Sequence, residues 1–295
     1  MIREDSVYYV FGTGNGISVW SSVNRKDWRP EKPVFSKAPP WAVEAVPGFR
    51  GHVWAPDISY HNGNYYLYYA VSAFGKNTSC IGLATNKTLH PASPDFRWED
   101  QGKVLQSVPG RDMWNAIDPN LALDEQGTPW LAFGSFWNGI KLVRLSQDFR
   151  SVAQPEQWYT IAGRPRSASI PDTAAGDAAI EAPFIFKKGA YYYLFVSFDY
   201  CCRGEKSTYK MMVGRSEKIQ GPYLDKEGVP MTNGGGSLVL QGDTSWHGVG
   251  HNAVVTFGNT DYLVFHGYDA ADRGRSKLRI EQLEWRNDWP QVLRL

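Results

Sequence analysis

The sequence is poor in cysteine, and it lacks any long apolar run, any block of like charge and any extended helical period. Three cysteines, Cys80, Cys201 and Cys202, cannot build a disulfide framework. The adjacent pair Cys201-Cys202 has the spacing of neither a zinc site nor a thioredoxin motif, and reads as two half-buried thiols in a loop. The longest apolar stretch, around Tyr65 to Phe74, is too short to span a bilayer, so no membrane contact is expected. No charged segment followed by an apolar stretch opens the chain. Lys plus Arg number 31 and Asp plus Glu 30, a net charge of +1. That balance argues against nucleic acid as a partner, and no protein partner is implied. The run Gly12-Thr13-Gly14-Asn15-Gly16 does not fit Gly-x-Gly-x-x-Gly, which excludes a dinucleotide loop. Asn77-Thr78-Ser79 and Asn86-Lys87-Thr88 match the glycosylation acceptor pattern, which is frequent by chance.

Aromatic residues, by contrast, are abundant: 14 Phe, 16 Tyr and 12 Trp. They fit pleated, half-buried surfaces, and they also stack on sugar rings. One pattern recurs along the chain: a small polar or acidic head, an apolar strand, a turn, then an aromatic strand. Tyr8, Tyr65, Pro129, Tyr191 and Asp261 mark equivalent points, about 57 to 70 residues apart. A third strand follows each, such as Ile81-Gly82-Leu83-Ala84 or Met211-Met212-Val213-Gly214. Three or four strands repeated five times define propeller blades, because each sheet buries its faces against its neighbours. A solenoid has shorter units. The expectation is an all-β fold, a single five-bladed β-propeller over residues 1–295. Its first blade is truncated at the N-terminus, the inner strand being cut at Met1.

In a propeller the innermost strands line a central channel, so their first residues converge at one end of it. The heads are Pro56-Asp57, Asp118-Pro119, Glu181-Ala182-Pro183 and His251-Asn252. Asp before Pro is also a common turn pair, whereas Glu181 has no turn role. Read as equivalent positions of different blades, Asp118 and Glu181 form a carboxylate pair suited to acid-base work on a glycosidic bond.

The stretches His52-Val53-Trp54-Ala55-Pro56-Asp57, Ser72-Ala73-Phe74-Gly75-Lys76-Asn77, Asn115-Ala116-Ile117-Asp118-Pro119-Asn120, Phe133-Gly134-Ser135-Phe136-Trp137, Ile180-Glu181-Ala182-Pro183-Phe184, Cys201-Cys202-Arg203-Gly204 leading to Ser207-Thr208-Tyr209-Lys210, and Gly250-His251-Asn252-Ala253 run in one order over nearly the whole chain. In this order they resemble the endo-α-1,5-L-arabinanases of glycoside hydrolase family 43. The resemblance implies inverting hydrolysis of arabinan and arabino-oligosaccharides, with Glu181 as general acid and Asp118 tuning and orienting it. It further implies calcium or a similar cation in the channel near His251, held largely through water. The family's base is an Asp in a His-Asp-Pro head of the first inner strand. Counting back from Tyr8 puts that head before Met1, so an upstream segment, or a protein without the usual base, is expected. Asp5 lies at the wrong end of the strand to replace it.

Trp54 and Phe74 are read either as sugar-stacking rings or as core. Asn115 and Ser135 bind substrate hydroxyls or serve turns, and Arg203 reaches the substrate or is a solvated loop residue. The segment Ala162 to Ala179 reads as an insertion that borders the cleft or hangs as a surface loop. Two rival functions stay open: an exo-acting arabinofuranosidase or xylosidase of the same fold, and a carbohydrate-binding propeller without turnover. A polymeric substrate favours an extracellular location.

Overall fold

The aromatic repeats fold as the second strands of five antiparallel sheets, in a computed structural model that describes residues 1–293. The strands are Ile2–Glu4, Val7–Gly12, Ser18–Ser22 and Arg29–Pro30 in blade one, and His52–His61, Asn64–Val71, Ser79–Asn86 and Glu99–Ser107 in blade two. Blade three holds Asn120–Leu123, Pro129–Phe133, Ile140–Arg144 and Trp158–Ala162. Blade four holds Ile180–Lys188, Tyr191–Phe198, Lys210–Ser216 and Ser237–Gln241. Blade five holds Trp246–Phe257, Thr260–Asp269, Arg275–Arg286 and Trp289–Leu293. The fold is the five-bladed β-propeller the repeats predict. Gly14–Asn15 leaves blade one to pair with the head of blade two, Gly14 opposite Val53, and laces the two together.

Successive side chains of a strand point to opposite faces, and in a propeller both faces are covered. The second strands are therefore largely apolar. In blade two, Tyr65, Leu67, Tyr69 and Val71 pack towards Tyr9, Phe11, Ile17 and Val19 of blade one. Tyr66 and Tyr68 turn the other way, onto Leu121, Leu131 and Phe133 of blade three. The same division recurs further on. Tyr192, Leu194 and Val196 join the blade three cluster, and Tyr193 and Phe195 join Leu263 and Phe265 of blade five. Each fully buried side chain of this size contributes about 1.5–3 kcal/mol. Blades five and one meet differently, through aromatic rings and arginines. Tyr8 stands edge-on to Phe257, and Arg25 lies over both Tyr8 and Tyr262. The Asn62-Gly63 turn has positive φ at both residues, 49° and 78°, as a two-residue hairpin of this twist requires.

Blade one has an inner strand, Ile2–Glu4, but it is three residues long against ten in His52–His61. Its register runs from Ile2 opposite Tyr9 to Glu4 opposite Val7. Both acidic residues here face away from the channel mouth. Glu4 accepts from Thr88 Oγ1 at 2.9 Å and from the Leu89 amide, and Asp5 meets His90 Nε2 at 3.0 Å.

Candidate active site

The inner strands do not enter their sheets smoothly. Their registers break between Trp54 and Asp57, between Glu181 and Phe184 and between Gly250 and Ala253. At each break one residue is left-handed: Ala55 at φ 45°, Ala182 at 56° and His251 at 53°. Asp118, just ahead of the blade three strand, matches them at 57°. A non-glycine residue held there costs about 1–3 kcal/mol, and such strain gathers at functional sites. A bulge also removes an amide from the ladder, and that amide needs another partner. The preceding blade supplies one in three cases. Thr13 Oγ1 accepts from Ala55 at 3.0 Å, Asp118 Oδ2 from Ala182 at 3.0 Å and Ser197 Oγ from His251 at 2.8 Å.

This geometry corrects one expectation. Asp118 and Glu181 are not equivalent in their blades. Asp118 is itself the left-handed residue before the proline, whereas in blade four that residue is Ala182 and Glu181 precedes it. The offset puts the Asp118 carboxyl on the amide next to Glu181, close enough across the blade boundary for its charge to act on the Glu181 carboxyl. Asp118 is buried and accepts the Ala182 amide, while Glu181 keeps an accessible edge. Burial is the main reason the Glu181 carboxyl is raised to about 7. The Asp118 charge raises it further, against the opposing effects of the Tyr209 hydroxyl and His251. Burial likewise lifts Asp118 to about 7 despite the Ala182 amide. The arrangement holds a carboxylic acid protonated near neutral pH beside a reachable surface, which is what proton donation to a leaving oxygen requires.

Asp57 has a stitching role. Its Oδ2 accepts from Asn120 Nδ2 at 3.2 Å and the Leu121 amide at 3.0 Å, and Asn120 Oδ1 in turn accepts the Ile185 amide at 2.8 Å. Burial raises Asp57 to about 6, moderated by those donors and by the Met1 α-amino group.

Of the other sequence candidates, Phe74 is 82% exposed on the loop after the second strand of blade two, which excludes a core role. Trp54 is half-buried at the blade head. Asn115 and Ser135 are buried in one chain of hydrogen bonds. Ser79 Oγ donates to Asn115 Oδ1 at 2.6 Å, and Asn115 Nδ2 to Ser135 Oγ at 3.1 Å. Ser135 also bridges the Glu181 backbone. Their first task is therefore to brace the acid's strand. Arg203 is exposed, with its guanidinium over the Tyr200 ring at 4.1 Å.

Cys201 and Cys202 are not free thiols. They are joined in a disulfide between neighbours whose Cα atoms are 3.8 Å apart, Cys202 turning left-handed at φ 66°. The Cys202 amide donates to Tyr268 Oη at 2.7 Å, and Tyr200 O accepts from Thr208 and Tyr209, so this loop is tied at both ends. The insertion before Glu181 is likewise built. Arg166 donates to the carbonyls of Ile170, Pro171 and Ala174 at 3.0, 2.8 and 2.9 Å, and Trp137 Nε1 to Asp172 O at 2.8 Å.

Three further participants were assigned no role from the sequence, although Tyr209 and Asn252 lie in its motifs. Tyr209 donates to Glu181 Oε1 at 2.5 Å, and Ser197 lies behind it. Asn252 is buried with neither side-chain polar atom partnered among the described residues. Gly250 was one visible clue, because a Cβ there would sit 2.2 Å from Tyr209 Cδ1. His251 itself is enclosed and pushed below the usual imidazole range by burial, against the pull of Glu181.

Fold and site together define a propeller glycosidase, with a raised carboxylic acid at the channel mouth and aromatic rings around it. The chain belongs to the glycosyl hydrolases family 43, whose family model matches residues 1–290. It is 53% identical over 293 residues, 99% of this chain and 84% of the relative, to an extracellular exo-alpha-(1->5)-L-arabinofuranosidase, ArbA, of Cellvibrio japonicus. It is 44% identical over 295 residues, 98% of this chain and 85% of the relative, to extracellular endo-alpha-(1->5)-L-arabinanase 1 of Bacillus subtilis. The solved structure of a Cellvibrio cellulosa alpha-L-arabinanase complexed with arabinohexaose superposes with a TM-score of 0.97 at 53% identity, covering 99% of this chain and 93% of that one.

Proposed function

We propose that this chain hydrolyses α-1,5-linked L-arabinan outside the cell by a single-displacement, inverting mechanism. The observation that carries the reading is the Glu181–Asp118 pair, two carboxyls from adjacent blades enclosed at one channel mouth and both raised to about 7. Glu181, kept protonated first by burial and then by the neighbouring Asp118 charge, protonates the glycosidic oxygen, and Asp118 orients its strand through the Ala182 amide. Phe74 and Trp54 offer ring faces to arabinose units. The base that activates water belongs, by resemblance, at the head of the first inner strand. Proton NMR of the first products of arabino-oligosaccharide cleavage is expected to show the inverted anomer, and retention would sink the single-displacement assignment.

Internal cleavage is the reading drawn from the sequence motifs. Attack from a chain end is the second reading, favoured by the higher identity to the exo-acting relative. Viscosity of linear arabinan separates them. An endo enzyme collapses it after few cuts, whereas an exo enzyme releases small sugars while viscosity persists.

A channel cation is part of the proposal. No three His, Cys, Asp or Glu side chains cluster as a metal cage among the described residues. What is present is the His251 imidazole and the unpartnered Asn252 Oδ1, a donor set that fits a hydrated ion such as calcium with water completing its shell. Such an ion supplies positive potential beneath the sugar site. A chelator is expected to lower the Tm, calcium to restore it, and His251→Ala to remove the difference. A Tm indifferent to chelator would leave the channel to water alone.

A further inference from the structure

A chain of hydrogen bonds runs behind Glu181. It starts at the His251 amide, which can only donate, and which Ser197 Oγ accepts at 2.8 Å. The Ser197 hydroxyl is hydrogen-bonded to Tyr209, and having accepted the His251 amide it keeps its own proton to give to Tyr209 Oη. Tyr209 Oη, receiving the serine proton, directs its own to Glu181 Oε1 at 2.5 Å. Oε1 is thereby an acceptor, and an acid proton on Glu181 has only Oε2 to occupy.

Resting on the hydrolase reading above, we propose that Tyr209 is a positioning residue that places the acid proton of Glu181 on Oε2, the oxygen not bonded to the tyrosine. The ring cannot swing out of this role. Tyr209 is buried at 1% exposure, Gly250 leaves no room for a Cβ against it, and His266 packs on it at 5.9 Å between ring centroids. Burial with His251 nearby holds His266 down to about 3, so the packing face is neutral. The ionisable groups around Glu181 are Asp118 from blade three, Tyr209 from its own blade, and His251 and Tyr268 from blade five. Of these, Tyr209 is the one hydrogen-bonded to its carboxyl.

In the reaction the Oε2 proton passes to the glycosidic oxygen, and the bond from that oxygen to the anomeric carbon breaks with its electron pair staying on the oxygen. Water adds to the anomeric carbon and loses its proton to the base. Glu181 is left as a carboxylate, so the Tyr209 hydrogen bond strengthens as charge develops. The effect therefore falls on kcat, and falls most where the leaving group needs its proton.

The test uses the Tyr209→Phe variant. On arabino-oligosaccharides kcat is expected to fall about 10- to 100-fold with KM unchanged. On the same sugars with a 4-nitrophenyl leaving group, which departs without protonation, the fall is expected to be slight. Equal losses on both substrates would overturn the proposal. A readout independent of turnover is the infrared C=O band of protonated Glu181, identified as the band missing from Glu181→Gln. It should move to higher wavenumber in Tyr209→Phe, because its carbonyl oxygen loses a donor, and by less in Ser197→Ala. Ser197→Ala keeps the tyrosine in place but frees its hydroxyl, so it carries the test if the phenylalanine variant does not fold. An unmoved band in the folded variants overturns the assignment. A band that moves in the variants, when the wild-type protein does not cut arabinan, would instead sink the hydrolase reading and leave the assignment standing.

Discussion

Glu181→Gln is expected to lower arabinan hydrolysis by about 10²–10⁴-fold, the usual worth of a positioned general acid, while the protein stays folded and still binds oligosaccharide. An amide keeps the shape of the carboxyl and can still accept from Tyr209, but it cannot release a proton to the leaving oxygen. Assay against linear arabinan and binding calorimetry with arabino-oligosaccharides separate the two effects. Unimpaired hydrolysis would remove Glu181 from the mechanism. The same variant makes a stability prediction with a definite sign. The folded-state value of Glu181, about 7, lies above the ordinary carboxylate range, so the folded protein binds this proton more tightly than the unfolded chain. Its contribution to stability is full below the unfolded value of about 4. It declines as pH rises towards 7, where the buried carboxyl must ionise. Glutamine does not ionise, so at pH 8 the Tm of Glu181→Gln should match or exceed that of the wild type. An active-site residue whose loss leaves the fold as stable or more so has been retained for chemistry and not for packing.

Asp118→Asn should produce the second large loss, by a different route. The Asp118 charge is one of the causes that raise Glu181, after burial. Without it the Glu181 carboxyl falls, and the alkaline limb of the kcat/KM profile, which follows loss of the acid's proton, moves to lower pH. On that side of the profile each unit of displacement costs about tenfold in the protonated fraction. Activity at pH 7 and above should therefore fall much more than activity at pH 5. The asparagine oxygen can still accept from Ala182, so the strand entry and the Tm should change little. A profile that keeps its alkaline limb in place would mean that Asp118 serves only as the left-handed turn residue before Pro119.

The number of blades, their strand order and the carboxylate proposed as the acid were legible in the chain by itself. The reason is that each repeat solves the same local problem. A strand buried on both faces must be largely apolar, as Tyr65 to Val71 and Tyr191 to Val196 are, and the turns between strands need Asn-Gly or Lys-Gly pairs. Glu181 stood out because nothing local called for a glutamate there. Relations between blades were not legible, because they depend on where backbones that are distant in sequence come to lie. The one-residue offset between Asp118 and Glu181 arises from bulges whose freed amides are capped by the preceding blade. Tyr209 reaches Glu181 from 28 positions away, after a loop tied by the Tyr200 carbonyl and by the Cys202 amide on Tyr268. That Asn115 and Ser135 hydrogen-bond each other was not legible either, because they stand 20 positions apart and meet only through burial. Local pattern determined which elements form. Only the closure of five sheets around one axis decided which side chains share a low-dielectric space, and that sharing is what raises Glu181 to the range of a working acid.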